Sequence, residues 1–461
     1  MEQNWQRKRV LILGAARQGL ALARFLSQKG ARVVLNDKRQ AQDLQQSIEA
    51  MLPYGVEWQL GRHDFSLLDS TDLLCLSGGV SADMPLALEA RRRGIPLSND
   101  TRIFLEIVPA RVTGITGSAG KTTTTSLVGK MAEMAAQPPQ KAWVGGNIGL
   151  PLIDHVDEIN QNDLVVLELS SFQLELVTSS PHISAILNIT PNHLDRHGTL
   201  ENYTAAKAHI LAYQVQDDIA VLGRDDPGAW ALRDHVKGRL FSFGFSKLDK
   251  ELDGAYCEND LISIQRDGKS TPIMPVKSIR LRGQHNVQNV LAACCIADTM
   301  GISPDVMKSV VEDFNGIPHR LEFVREWHGV RWINDSIATA PERTTAAIHS
   351  FDEPIVLLLG GRDKNLPWEE LATLVHQRVK HLVIFGEALE KIKTAIGLPQ
   401  KGETLVSIQT CGGLQDAVTA ASRVAEAGQV VLLSPGGTSY DEFKDFEERG
   451  ERYRLWVNNL S

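Results

Sequence analysis

Between Gly114 and Thr125 the chain reads Gly-Ile-Thr-Gly-Ser-Ala-Gly-Lys-Thr-Thr-Thr-Thr, the segment best suited to chemistry. Gly117 and Gly120 let the backbone curl so that the amides of Ser118, Ala119 and the residues after them point at phosphate oxygens. The N-terminus of the helical segment that follows adds partial positive charge, and the Lys121 ammonium reaches the terminal phosphates. The hydroxyl of Thr122, with Thr123 beside it, suits a magnesium ion. The longer GxxxxGK[ST] pattern is not met, because Ile115 stands where its first glycine belongs. This tighter GxxGKT loop implies a nucleoside triphosphate, against the plainer reading of a glycine-rich turn that binds nothing.

Three further side chains have types that suit metal or phosphate work. Glu168 follows the apolar run Leu164-Val-Val-Leu, His193 lies within Asn188-Ile-Thr-Pro-Asn-His-Leu-Asp-Arg-His-Gly198, and Lys207 ends Tyr203-Thr-Ala-Ala-Lys. Alone, each has an ordinary explanation: a strand-end surface carboxylate, a surface or core histidine, an exposed helix lysine. Near the start of the chain, Gly14-Ala-Ala-Arg-Gln-Gly19 follows a strand-like run and Asp37 closes the next. That pair fits a degraded dinucleotide fingerprint and by itself would suggest NAD.

Short apolar, β-branched runs that end in a polar or glycine-rich turn must position these groups. They fall at 10–13, 32–35 and 73–76, at 111–115, 164–167 and 183–187, and at 355–359, 381–385 and 430–433. Alternation of such runs with helical segments predicts an α/β protein with parallel sheets, whose ligands bind beyond the carboxyl ends of the strands. A chain of 461 residues exceeds the roughly 250–300 that one core supports, so two or three domains are expected. Breaks near 107–110 and at the Gly316-Ile-Pro318 linker divide it into 1–108, 109–316 and 317–461. Segment 241–280, opening Phe-Ser-Phe-Gly, reads as a small antiparallel excursion within the middle domain.

Composition narrows the class. Hydrophobic residues make up 43% and charged residues 23%, ordinary globular values. A net charge of −8 without a basic cluster argues against nucleic acid as a partner. No run approaches about 18 apolar residues, and the polar start leads straight into a strand, so a cytoplasmic protein without a membrane span is expected. Five cysteines, scattered and without CxxC spacing, read as buried thiols rather than disulfides or a zinc site.

Six motifs in order resemble the Mur ligase family over the whole chain. They follow the phosphate loop and are Glu168-Leu-Ser-Ser-Phe-Gln-Leu-Glu175, Asn188 through Gly198, Tyr203-Thr-Ala-Ala-Lys207, Gly283-Gln-His-Asn-Val-Gln-Asn289, Pro318-His-Arg320, and Asn334-Asp-Ser336. The resemblance implies a Rossmann-like uridine-nucleotide domain, a central P-loop ATPase domain and a Rossmann-like C-terminal domain that brings the amino acid. Chain length, Ser170-Ser-Phe-Gln-Leu-Glu175 and the ending Leu433-Ser-Pro through Gly450 point to the branch that adds glutamate to UDP-N-acetylmuramoyl-L-alanine. ATP and two Mg²⁺ ions are the implied cofactors, and a monomer is expected.

By the same resemblance, Lys121 takes the γ-phosphate, Thr122 and Glu168 the first Mg²⁺, and His193 with a carbamylated Lys207 the second. Asn289, Arg320 and Asp335 match positions holding adenine, phosphates and ribose. Ala15, Ala16, Arg17, Asp37 and Lys38 fall to the UDP group, and Asn147 lies beside the reacting carboxylate. Thr339, Lys364, Ser439 and Phe446 match the glutamate set. One departure stands out. Where many relatives carry Asp-Ser-Lys-Ala-Thr, this chain reads Asp335-Ser-Ile-Ala-Thr339, which removes a cation and leaves Arg343 or Arg362 as its replacement. It also leaves D- against L-glutamate open. A folylpolyglutamate synthase would lack the first hundred residues, another Mur ligase would differ in the C-terminal segment, and a P-loop GTPase would need an Asn-Lys-x-Asp motif that is absent.

Overall fold

The structure is a computed structural model that describes residues 4–281, 283–364, 366–400 and 402–460. It forms two compact units, Met1–Phe314 and Asn315–Ser461, carrying three sheets that define three α/β domains.

The first sheet holds β1 (Arg9–Leu13), β2 (Arg32–Asp37), β3 (Glu57–Leu60), β4 (Leu73–Leu76) and β5 (Leu97–Ser98), in the order 3-2-1-4-5 and all parallel. Side chains alternate across it as the period of a strand requires. Val10 and Ile12 join Ala21, Leu22, Phe25 and Leu26 of the helix Arg17–Gln28, while Leu11 and Leu13 meet Leu86, Ala87 and Ala90 of the helix Pro85–Arg92.

The second sheet contains β6 (Val112–Thr116), β7 (Ala142–Gly146), β8 (Leu164–Glu168), β9 (Ile183–Ile186), β10 (Ile219–Gly223), β11 (Arg239–Gly244), β12 (Asp253–Glu258), β13 (Leu261–Arg266) and β14 (Lys269–Pro275). Their order is 14-13-12-11-10-9-6-8-7. Only the β12–β13 and β13–β14 pairs are antiparallel. The expected antiparallel excursion therefore begins later than its opening Phe-Ser-Phe-Gly, which lies in parallel β11. It extends the main sheet instead of leaving it, because Phe241 and Phe243 are buried in the common core. Ion pairs Arg24–Asp154 and Lys29–Asp157 join the first two domains inside one unit.

The second unit carries β15 (Glu322–Trp327), β16 (Val330–Asn334), β17 (Ile355–Gly360), β18 (Val379–Phe385), β19 (Ser407–Cys411) and β20 (Val430–Gly436), in the order 15-16-20-17-18-19. Only β15 is antiparallel to its neighbour. Ile355, Leu357 and Leu359 pack on one layer of helices, Val356 and Leu358 on the other. All nine runs picked from sequence are strands. All five cysteines are free, but Cys257 and Cys411 are only partly covered, a correction to the expectation of buried thiols. Among the described residues, no helix is long and apolar enough to cross a membrane.

Candidate active site

The phosphate loop sits where β6 runs into the helix Lys121–Ala135. Gly120 has φ +80°, and a Cβ there would lie 2.2 Å from Asn289 Oδ1, so the turn admits only glycine and packs against the Asn289 amide. Asn188, quoted in a motif but given no role from sequence, braces the loop. Its Oδ1 accepts from the Ala119 amide at 2.8 Å, its Nδ2 donates to the Ala119 carbonyl at 3.1 Å, and its own carbonyl accepts from Ser118 N at 3.0 Å. Ser118 Oγ donates to the Thr190 carbonyl at 2.9 Å. Lys121 curls back over the loop, its Nζ donating to the Gly117 carbonyl at 2.8 Å. Thr122 and Thr123 occupy the first turn of the helix, whose opening amides have no partner further back along it.

Lys207 comes from the helix Leu200–Ala212, yet it is only 1% exposed. Its Nζ donates to the same Gly117 carbonyl at 2.9 Å and to Thr116 Oγ1 at 3.3 Å, and stands 4.7 Å from the Tyr203 ring centroid. Burial pushes its pKa down to about 7; the nearby Lys121 charge adds to this and Glu168 opposes it. The surface-lysine reading is excluded.

Glu168, at the end of β8, is likewise 1% exposed. Its Oε1 accepts from Asn147 Nδ2 at 2.7 Å, while Oε2 is buried without a hydrogen-bond partner among the described residues. The Asn147 amide also donates to the Glu168 carbonyl, at 2.8 Å. An orphaned buried carboxylate oxygen is costly unless a cation completes it, and a hard divalent ion takes oxygen ligands of this kind. His193 is exposed, adopts φ +52°, and lies edge-on to Phe172 at 5.4 Å between ring centroids. Among the described residues no hydrogen bond joins it to Glu168 or Lys207, and no group of three His, Cys, Asp or Glu side chains converges as a metal cage.

In the first domain, Ala15 N donates to Asp37 Oδ2 at 2.8 Å, and Arg39 clasps the same carboxylate through Nε at 3.0 Å and Nη2 at 2.8 Å. Burial alone would raise the Asp37 pKa, but Arg39 and the two backbone amides hold it well below the usual carboxylate range. Arg39 was missed from sequence. The signal for it was its place two residues after Asp37. Ala16, Arg17 and Lys38 are exposed beside this turn. From the same helix, Gln18 donates to the Gly146 carbonyl at 3.4 Å, joining the turn to the loop that carries Asn147.

In the second unit the carboxyl ends of β16, β20 and β17 lie side by side and lead to Thr339, Ser439 and Lys364 respectively. Lys364 Nζ donates to Thr339 Oγ1 at 3.2 Å. Ser439 is buried, and Phe446 opens the last helix with its carbonyl accepting from Ser336 Oγ at 2.8 Å. Asp335 accepts from Ser434 Oγ at 2.8 Å and from Leu321 N at 3.2 Å, and burial pushes its pKa up to about 6. Arg320 is exposed nearby in sequence. Sequence reasoning missed Arg449, which is fully buried. It donates to the Ser336 carbonyl at 2.8 Å and the Gly437 carbonyl at 3.1 Å, fastening the connections that carry Thr339 and Ser439. A buried arginine three residues into a charged helix leaves no periodic signal.

Comparison with known proteins agrees along the length of the chain. Residues 8–99 match the MurD-like N-terminal domain of Mur ligases, 115–297 the Mur ligase middle domain, and 319–437 the Mur ligase glutamate ligase domain. The chain is 40% identical to UDP-N-acetylmuramoylalanine–D-glutamate ligase of Acidobacterium capsulatum over 97% of its length and 95% of that protein. It is also 40% identical to the enzyme of the same name from Pelotomaculum thermopropionicum, covering 100% and 99%. Among solved structures, MurF of Acinetobacter baumannii shares the fold with a TM-score of 0.54 at 18% identity, over 97% of this chain and 94% of that one.

Proposed function

This chain belongs to the Mur ligase family, and on that premise we propose that it joins D-glutamate to UDP-N-acetylmuramoyl-L-alanine with ATP, a step of peptidoglycan precursor synthesis. A carboxylate does not condense with an amine in water, because hydroxide is a poor leaving group. ATP phosphorylates the alanyl carboxylate to an acyl phosphate; the glutamate amine adds to its carbonyl, and phosphate departs with ADP as the other product. Both steps gather negative oxygens, so positioned cations and amides carry most of the catalysis.

One observation supports this reading above the others: Lys121 and the buried Lys207 converge on the Gly117 carbonyl of a braced phosphate loop. Lys121 swings from that carbonyl to the γ-phosphate, and Gly117 to Thr123 cradle the rest, with Asn289, Arg320 and Asp335 serving adenine, phosphates and ribose. Thr122 and Glu168 would hold one Mg²⁺, and His193 with carbamylated Lys207 a second. Magnesium would neutralise the transferring phosphoryl oxygens. The orphaned Glu168 Oε2 fits such an ion, which needs only one or two carboxylates beside phosphate oxygens and water.

Lys207 fits carbamylation for a chemical reason. Only the neutral amine attacks CO₂, forming an N–C bond and losing one proton to leave an anionic carbamate. A pKa near 7 makes that neutral amine available at physiological pH. Residues 1–108, with Ala15, Ala16, Arg17, Asp37 and Lys38, are read as the uridine-nucleotide domain, 109–316 as the ATP domain, and 317–461 as the glutamate domain. Asn147 orients Glu168 beside the alanyl carboxylate, and Thr339, Lys364, Ser439 and Phe446 receive glutamate. The enzyme is read as a cytoplasmic monomer.

The test is ADP release by purified protein with UDP-N-acetylmuramoyl-L-alanine, ATP, Mg²⁺ and either enantiomer of glutamate, with the product mass recorded. Release is expected only when every substrate is present and only with D-glutamate. Preference for L-glutamate overturns the stereochemistry, and indifference to glutamate overturns the function.

A further inference from the structure

Glutamate brings two carboxylates, and fixing both is what aims its amine. The strand-end face of the second unit offers Lys364 for one of them, already seated on Thr339 Oγ1 at 3.2 Å. The other carboxylate needs donors from the same neighbourhood, where Ser439 offers only a neutral hydroxyl and residue 337, which starts the connection to Thr339, is an isoleucine with no charge to add. Four arginines are close in sequence or fold: Arg320, which the proposed function gives to the ATP phosphates, and Arg343, Arg362 and Arg449.

Arg449 is sealed in the interior, with its guanidinium spread over Ser336 and Gly437, so it fastens the loops and has no face for a ligand. Arg362 is exposed but already neutralised, its Nε donating to Glu387 Oε2 at 2.8 Å. Arg343 differs from both. It projects from the first turn of the helix Pro341–Ile348, is exposed, and forms no direct ion pair among the described residues, its charge reaching only the buried Asp335 carboxylate, whose pKa it lowers against the effect of burial. Its Nη1 donates to the Ile337 carbonyl at 3.4 Å, and that same carbonyl accepts from Thr339 N at 2.9 Å. One carbonyl thus draws the Arg343 guanidinium to the Thr339 backbone while Lys364 holds the Thr339 hydroxyl. Two cations flank one threonine, and the long weak bond to Ile337 leaves most of the guanidinium donors for a carboxylate.

We propose that Arg343 is the second carboxylate-binding group of the glutamate site, supplying from the helix Pro341–Ile348 the positive charge that residue 337 does not. Arg362 is then a structural partner of Glu387 and not a ligand group. The inference rests on the glutamate-ligase reading and sharpens it: the amino acid must carry two acidic groups, and its side-chain or main-chain carboxylate is read by an arginine in a forked geometry a lysine does not reproduce.

Steady-state kinetics on the full-length enzyme test it, with ADP release followed while each substrate is varied in turn. Arg343→Gln is expected to raise KM for D-glutamate roughly ten- to a hundredfold, the range for losing a hydrogen bond to a charged group. KM for ATP and for the UDP substrate should stay within about twofold of wild type, as such rim changes leave distant sites alone. Arg343→Lys should recover part of the loss, and Arg362→Gln should leave KM for glutamate nearly unchanged. An unchanged glutamate KM in Arg343→Gln, with a glutamate-dependent wild type, overturns this assignment alone. Equal damage to all three KM values also overturns it, by marking the effect as structural. Wild-type turnover indifferent to glutamate overturns the ligase reading and this inference with it.

Discussion

On the function proposed above, the phosphate site of the first unit and the strand-end face of the second meet the same problem, holding negative oxygens, by opposite means. In the first unit the key groups are interior: Lys207 and Glu168 are each 1% exposed, and Asn188 and Gly120 leave the loop no alternative path. In the second unit Lys364 and Arg343 stand at the surface, and the buried groups of the same region, Arg449 and Asp335, shape the loops. Burial strengthens each electrostatic contact and makes an unpartnered group costly, whereas surface groups are screened and adjustable. Phosphoryl transfer needs fixed charge at the reacting atoms. Capture of a small amino acid needs recognition that can still let go.

If that contrast is right, Lys121→Ala should have the largest effect. Loss of a cation aimed at the transferred phosphoryl group should lower turnover by about a thousandfold, with the far-UV spectrum and the affinity for the UDP substrate close to wild type. Near-normal turnover would break the comparison at its first term.

Lys207→Ala should be nearly as inactive, and small carboxylates such as formate should restore part of the activity by supplying the missing anionic oxygens. Wild-type activity should also respond to dissolved CO₂ in a pH-dependent way. With the amine titrating near 7, about nine-tenths is neutral one unit above and about one-tenth one unit below. Activity regained from CO₂-depleted buffer on adding bicarbonate should therefore be stronger at pH 8 than at pH 6. Equal recovery at both, or full activity of the alanine variant, would remove the carbamate from the scheme.

The smallest expected effect contrasts the two aspartates near strand ends. The Asp37 pKa is depressed in the fold, so its contribution is present above the unfolded value near 4 and is lost as pH falls through the folded value. Asp37→Asn should destabilise by about 1–3 kcal/mol at pH 7, and by less at pH 3. Asp335 is the reverse. Its pKa is raised to about 6, so the fold carries a cost that grows as pH climbs from about 4 to 6. Asp335→Asn should be neutral or stabilising at pH 7, and the gain should vanish near pH 4. Denaturant melts at the three pH values read both, and parallel pH trends in the two variants would contradict the assigned environments.

Local sequence was enough for whatever is built from neighbours along the chain. The nine apolar runs became strands because a pleat covered by helices on both faces demands apolar, β-branched residues along its whole length. The phosphate loop was legible because its glycines, lysine and threonines act within one turn of backbone. The middle antiparallel segment was placed too early, since Phe241 and Phe243 serve equally in a parallel core strand and a hairpin. Tertiary structure alone decided the properties that depend on distance in sequence. Ninety-one residues separate Lys207 from the Thr116 hydroxyl it meets, and 21 separate Asn147 from the Glu168 oxygen it holds. Arg449 reaches back 113 residues to Ser336. A residue's type sets which bonds it can make, but its burial, and with it the charge it carries, is fixed by what the rest of the chain brings against it.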